Sequence, residues 1–195
     1  MAEPYISSAL DIAFQNLSPK IREIYSLGNG WEGWAQVEIA LGFKTRFALH
    51  EKSLALKDIT VYSEREKGSY EGSAKRCDFL VTYVDKTNNK STMLFYELKC
   101  MRQNQTLAQF TGGVGEDIDK VNQASPRDEW MASAHQVAGW VIAITVHTGN
   151  PDDDNINTAM REIAAKKGIA WWPEFSRSIT KDNVVRVWLF KRDFK

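Results

Sequence analysis

Three charged residues, Asp78, Glu97 and Lys99, stand beside short apolar runs typical of β-strands. The two runs, CDFLVTYV and STMLFYELK, are separated by DKTNNK. Asn and Asp tolerate the left-handed backbone conformation that turns require, so this arrangement predicts a β-hairpin. All three charged residues would then lie near the open end of one hairpin.

The spacing along the strands indicates which side chains share a face. Glu97 and Lys99 are two residues apart, so in an extended strand they project to the same side. A turn centred on residues 88–89 would place Asp78 directly opposite Lys99, with Glu97 as its diagonal neighbour. We therefore expect two carboxylates and one ammonium group to converge.

Such a group is suited to one kind of chemistry. Two neighbouring carboxylates repel each other unless a cation lies between them, and oxygen ligands of this type suit Mg²⁺ or Mn²⁺. A divalent cation lowers the pKa of water and stabilises charge on a phosphate, and a lysine can position the nucleophile. The combination suits phosphodiester hydrolysis. The alternative is a cross-strand salt bridge on a solvated sheet face, contributing less than about 1 kcal/mol.

Asp78, eighteen intervening residues and then Glu97-Leu98-Lys99 resemble the signature of the PD-(D/E)xK nuclease superfamily. Cys77 stands where that signature has proline. The resemblance covers roughly residues 31–146 through the order helix, strand, hairpin, helix, strand. It implies a restriction-endonuclease-like core, with Asp78 and Glu97 as metal ligands and Lys99 as the catalytic lysine.

By the same resemblance, Glu38 would be a further metal ligand on the first helix of that core. We expect Trp34, Val37 and Leu41 to form the apolar side of this helix, which would end at Gly42. Glu38 lies near that side, where an unpaired carboxylate is costly. A half-exposed residue without a metal role is the alternative.

Three basic residues are candidates for contact with nucleic acid. Lys120 belongs to an Asp-x-x-Lys pattern that begins at Asp117, a pattern often found on the helix after the motif, and Lys75 and Arg76 precede Asp78. Each would bind a substrate phosphate. For Lys120, the alternative is an ordinary surface lysine.

The remaining segments predict a mixed α/β sheet flanked by helices, in a single domain over residues 1–195. A helix is expected near the N-terminus, from the helical spacing of Ile6, Leu10, Phe14 and Leu17. Strands are expected over 57–62, 140–146, 169–172 and 184–190, and a helix over 156–167. Residues 112–115, Gly-Gly-Val-Gly, are interpreted as a flexible connection, with a helix starting near Gly115.

Composition bounds the function. Lys plus Arg equals Asp plus Glu at 25 each, so the chain lacks the positive field of a dedicated nucleic-acid binder. This balance favours the alternative function, a non-catalytic nuclease-fold protein acting as a binding, inhibitor, immunity or structural partner. The intact motif favours an endonuclease acting on DNA. No apolar run reaches the roughly 20 residues of a membrane span, and no secretory signal is evident, so we expect a cytoplasmic protein.

Two further expectations concern assembly and the thiols. Symmetric cutting of both strands would require two active sites, which makes a homodimer possible. The predicted hairpin register also places Cys77 opposite Cys100, and two reduced thiols are expected there in a reducing compartment.

Overall fold

Helices pack on both faces of a six-stranded sheet in a computed structural model of the chain, which describes residues 4–26, 31–52, 56–63, 77–126, 128–148, 154–180 and 183–195. The helices are α1 Pro4–Leu17, α2 Ile21–Ser26, α3 Trp31–Lys52, α4 Leu107–Asn122, α5 Asp128–Ser133 and α6 Asp154–Lys167. The strands are β1 Leu56–Ser63, β2 Phe79–Asp85, β3 Lys90–Cys100, β4 Gln136–Thr148, β5 Ala170–Thr180 and β6 Asn183–Asp193.

The strand order in the sheet is β1-β2-β3-β4-β6-β5. Neighbouring strands are antiparallel except β3 and β4, which run parallel and are joined through α4 and α5. The predicted α/β class, a mixed sheet flanked by helices, is therefore confirmed. From α3 to β4 the chain also follows the expected order of helix, strand, hairpin, helix and strand.

Each face of the sheet has its own apolar core. One core includes the inner sides of α1 and α3, and the predicted apolar stripe of α1 is fully buried there: Ile6, Leu10, Phe14 and Leu17. The other core includes α4 and α6. Along β3 the side chains alternate, with Tyr96 and Leu98 in the first core and Phe95 in the second. Glu97 and Lys99 consequently lie on the side of the sheet that α4 covers.

The predicted inner side of α3 was wrong. Trp34, Val37 and Leu41 are 42%, 57% and 46% exposed, and the buried side is formed by Trp31, Ala35, Ile39, Phe43 and Phe47. The helix carries apolar residues on two opposite sides, so its periodicity fits either orientation. The helix also continues past Gly42 to its end at Lys52.

Gly42 has a different role from the predicted helix stop. A Cβ atom at this position would lie 2.2 Å from the carbonyl oxygen of Ala9 in α1. Only a residue without a side chain allows the two helix backbones to approach this closely.

The hairpin register also differs from the prediction, because the turn has four residues instead of two. Asp85 pairs with Lys90, and the Asp85 carboxylate accepts hydrogen bonds from the backbone and hydroxyl of Thr87. Asn88 accepts a bond from the Lys90 backbone, and Asn89 has a left-handed φ of 55°. These side-chain bonds close a longer loop.

This register changes the neighbours of the motif residues. Phe79 pairs with Tyr96, so the next position places Asp78 beside Glu97 instead of opposite Lys99. Cys77 does not face Cys100: it lies in the core under α4, whereas Cys100 lies in the core under α3. Both cysteines are buried, and neither forms a disulfide, as expected.

Residues 112–115 are not a flexible connection but part of α4, which begins at Leu107. The Thr106 hydroxyl accepts a bond from the backbone of Gln109, and the Gln109 side chain accepts one from the backbone of Thr106. This capping box satisfies two free N–H groups and fixes the helix start well before the glycines.

None of the helices that the structure describes is both long enough and apolar enough to cross a membrane.

Substitution at Gly42 tests the helix crossing. Gly42→Ala should lower the free energy of unfolding by about 1–3 kcal/mol, because the new Cβ must displace backbone atoms of α1. Gly33→Ala, in the same helix with no atom within 4 Å of the new Cβ, is the matched control and should be neutral or stabilising. Urea unfolding measures both; equal effects of the two substitutions would contradict the close approach.

Candidate functional site

A cluster of charged and polar side chains lies at the carboxyl end of β3. It is bounded by the bend that precedes β2, by α4 above the sheet and by the first turns of α3. Seven residues contribute: Glu32, Gln36, Asp78, Glu97, Lys99, Asp117 and Lys120. We refer to them as the β3-end cluster.

Glu97 is the most buried member, with 2% of its surface exposed. A carboxylate in such a position needs a partner, and the Lys120 Nζ atom lies 2.5 Å from its Oε2 atom. Lys120 therefore lies inside the β3-end cluster, which excludes the alternative of an ordinary surface lysine. Glu97 is likewise not part of a salt bridge on a solvated sheet face.

Asp78 lies beside Glu97 and is held by hydrogen bonds on three sides. Its Oδ2 atom accepts a bond of 2.6 Å from the Leu98 backbone, and its own backbone N–H donates to Tyr96. Its carbonyl oxygen accepts a bond from the side chain of Gln36 in α3. Burial raises the pKa of Asp78 to about 6, although the Leu98 bond and the charge of Lys120 oppose the rise.

Lys99 pairs with a carboxylate that the sequence analysis did not assign. Its Nζ atom lies 3.3 Å from the Oδ2 atom of Asp117, a buried oxygen that has no hydrogen bond of good geometry among the described residues. Burial alone would lower the pKa of Lys99, but the nearby charges of Asp117 and Glu32 outweigh it and raise that pKa. Burial also raises the pKa of Asp117.

The α3 carboxylate in the cluster is Glu32, not Glu38. The Oε2 atom of Glu32 accepts a bond of 2.9 Å from the Cys100 backbone, and its charge raises the pKa of Asp78. Gln36 lies one turn later on the same side of the helix. Glu38 is six residues beyond Glu32, about 9 Å further along the axis and rotated by roughly 240°. The structure therefore does not bring Glu38 to the motif.

Of the predicted site residues, the structure brings together Asp78, Glu97, Lys99 and Lys120. Lys75 and Arg76 lie outside the described residues. Glu32, Gln36 and Asp117 were not among the predicted site residues. Asp117 had a visible signal, because it begins the Asp-x-x-Lys pattern, and Glu32 stands in the first turn of α3.

The types of ligand atom in the β3-end cluster are those that bind divalent cations. Its four carboxylates outnumber its two ammonium groups, its ligands are hard oxygen atoms, and one buried oxygen of Asp117 lacks a well-formed hydrogen bond. The oxygens are not gathered in advance: within the described ranges, no three Asp, Glu, His or Cys residues are close enough to hold a metal ion. The Glu97 carboxylate is instead bonded to Lys120.

Comparisons with protein-family models, with curated proteins and with solved structures found no match to this chain. The likeness to the PD-(D/E)xK superfamily consists of the spacing of Asp78, Glu97 and Lys99 and the order of the elements around them.

The raised pKa of Asp78 gives a pH dependence of stability. Between the unfolded value of 3.8 and the folded value of about 6, the folded state binds more protons, so stability falls as pH rises through this window. The loss is complete above pH 6 and amounts to about 3 kcal/mol. Asp78→Asn retains an acceptor for the Leu98 bond and removes this loss.

In EDTA, Asp78→Asn should therefore be more stable than the parent protein at pH 8 and gain little at pH 4. Chemical unfolding at both pH values measures the difference. Asp58→Asn, an exposed position with a left-handed φ that Asn accepts, is the control and should show no such gain. A gain of equal size at both pH values would argue against an Asp78 carboxyl whose pKa is raised by burial.

Proposed function

We propose that this protein is a Mg²⁺- or Mn²⁺-dependent nuclease that hydrolyses phosphodiester bonds, most specifically a DNA endonuclease of the PD-(D/E)xK type acting in the cytoplasm. The observation that carries the proposal is the arrangement at the end of β3. There Asp78 and the buried Glu97 are neighbours, with Lys99 two residues further along the same strand face.

The proposed roles follow from the contacts. Asp78 and Glu97 are metal ligands, and Glu32 takes the place that the sequence analysis gave to Glu38, because Glu32 is the α3 carboxylate at the strand end. A bound divalent cation would supply Lewis-acid stabilisation of the phosphate and a lower pKa for water. Gln36 holds the backbone of Asp78, which fixes the direction of the Asp78 carboxylate.

Lys99 acts as a cation in this proposal. Its raised pKa keeps the ammonium group protonated at neutral pH, so it stabilises negative charge and does not accept a proton. Asp117 restrains its Nζ atom, and the backbone of Gly113 in α4 lies beside its stem. The group is therefore preorganised toward the neighbouring carboxylates.

A second function has specific support. In a non-catalytic binding protein, the pairs Glu97–Lys120 and Lys99–Asp117 would be permanent structural ion pairs under α4. The balanced charge of the chain and the lack of a three-carboxylate group among the described residues favour this reading. The excess of carboxylates and the raised pKa of Asp78 favour the enzyme, because a purely structural cluster has no use for an uncompensated charge.

Lys99→Met tests the proposal. Purified protein with Mn²⁺ should cleave plasmid or single-stranded DNA and should lose cleavage in EDTA. Lys99→Met should reduce cleavage by roughly a hundredfold or more while Mn²⁺ still binds, because the lysine acts on the phosphate or the nucleophile. Lys90→Met, at the exposed start of the same strand, is the matched control. A parent protein without cleavage in Mn²⁺ would support the binding-protein alternative.

The position of Lys99 can also be tested from α4. A Cβ at Gly113 would lie 3.4 Å from Lys99 Cδ, so alanine fits, whereas the further atoms of a larger side chain would displace the outer part of Lys99. Gly113→Leu should reduce cleavage roughly tenfold or more through displacement of the Lys99 amine. Gly112→Leu is the control, because a Cβ there has no atom within 4 Å. Equal activity of the two variants, both folded by circular dichroism, would contradict the role of this contact.

A further inference from the structure

Two cations would bind the carboxylate of Glu97, one observed in the structure and one proposed. In the structure it binds Lys120, and in the proposed function it binds a divalent cation. We propose that Lys120 is a phosphate-binding residue that Glu97 holds until a divalent cation displaces it, so that the cation and the nucleic acid bind cooperatively. This inference rests on the proposed function.

The distances put a divalent cation in competition with Lys120 for the Oε2 atom of Glu97. The Lys120 Nζ atom lies 2.5 Å from Glu97 Oε2, and a Mg²⁺ ion would approach the same oxygen to about 2.0–2.1 Å. An ammonium group and a divalent cation cannot share that position, because they repel each other at such a distance. With Glu97 only 2% exposed, the displaced group has to move toward solvent.

Lys120 is the lysine that a cation on Glu97 would displace, and Lys99 is not. Both side chains are partly exposed, 23% for Lys120 and 27% for Lys99, so their ion-pair partners and not their exposure separate them. Lys99 pairs with Asp117, which is not one of the proposed ligands, and it keeps this partner when the cation binds. A released ammonium group beside a cation site is placed to bind the phosphate of the substrate.

The first experiment measures Mn²⁺ affinity without any substrate. Lys120→Gln removes the competing charge but keeps a hydrogen-bond donor for Glu97, so it should bind Mn²⁺ roughly tenfold more tightly than the parent protein in calorimetry or electron paramagnetic resonance titrations. Lys120→Arg keeps the charge and should show no gain. Lys167→Met is the control for a general charge effect, because it removes a lysine of α6 that pairs with Asp119 of α4. It should change the affinity by less than about twofold.

Folding is checked by melting in EDTA, where Lys120→Met should melt lower than both Lys120→Gln and Lys167→Met, because it removes the Lys120 group that bonds to the buried Glu97 carboxylate. An unchanged or weaker Mn²⁺ affinity in folded Lys120→Gln would overturn the displacement. A gain of the same size in Lys167→Met would also overturn it, because the effect would then be only the loss of one positive charge.

The second experiment measures binding of a short DNA duplex with Ca²⁺ and with EDTA. Lys120→Gln should weaken binding roughly tenfold with Ca²⁺ and leave it unchanged in EDTA, where Glu97 already holds the lysine. Equal weakening in both conditions, or none in either, would refute the coupling. A parent protein that binds no Mn²⁺ and cleaves nothing would refute the proposed function itself; one that binds Mn²⁺ and cleaves, with Lys120→Gln unchanged, would refute only this inference.

Discussion

The burial of the Glu97 carboxylate is the constraint around which this part of the molecule is arranged. A carboxylate with 2% exposure requires a cation, and α4 supplies it through Lys120. The helix can do so only if it begins at the right residue, since a shift of one position rotates every side chain by about 100°. The Thr106 capping box fixes that start. Asp117 then lies three residues before Lys120 on the same side, where it meets Lys99.

The other layer of the molecule completes the cluster from behind the sheet. The indole of Trp31 donates to the Met101 carbonyl, which docks the start of α3 on the end of β3. Glu32 then reaches the Cys100 backbone, and Gln36 reaches the carbonyl of Asp78. The close crossing of α1 and α3 at Gly42 holds this helix in position. The site therefore depends on both cores, although the motif residues Glu97 and Lys99 lie on one strand.

The correct predictions rest on local sequence patterns, and the wrong or missing ones depend on contacts that those patterns do not contain. The alternation that places Glu97 and Lys99 on one face, and the order of elements around them, are local properties and were correct. The hairpin register depends on the side-chain bonds of Asp85, which lengthen the turn by two residues. The inner side of α3 depends on which of two apolar stripes the sheet accepts. The contact between Glu32 and Cys100 joins residues 68 positions apart, and no spacing rule encodes it.

The equal numbers of acidic and basic residues argued against a nucleic-acid binder, but whole-chain charge is the wrong quantity for this site. In the β3-end cluster, four carboxylates face two lysines, so full ionisation leaves two uncompensated negative charges, which repel phosphate. The charge of one divalent cation equals that excess. With the cation bound, the cluster would be neutral, and its lysines would be the groups that a phosphate meets. Affinity for nucleic acid would then be a property of the metal-loaded protein, and composition alone could not reveal it.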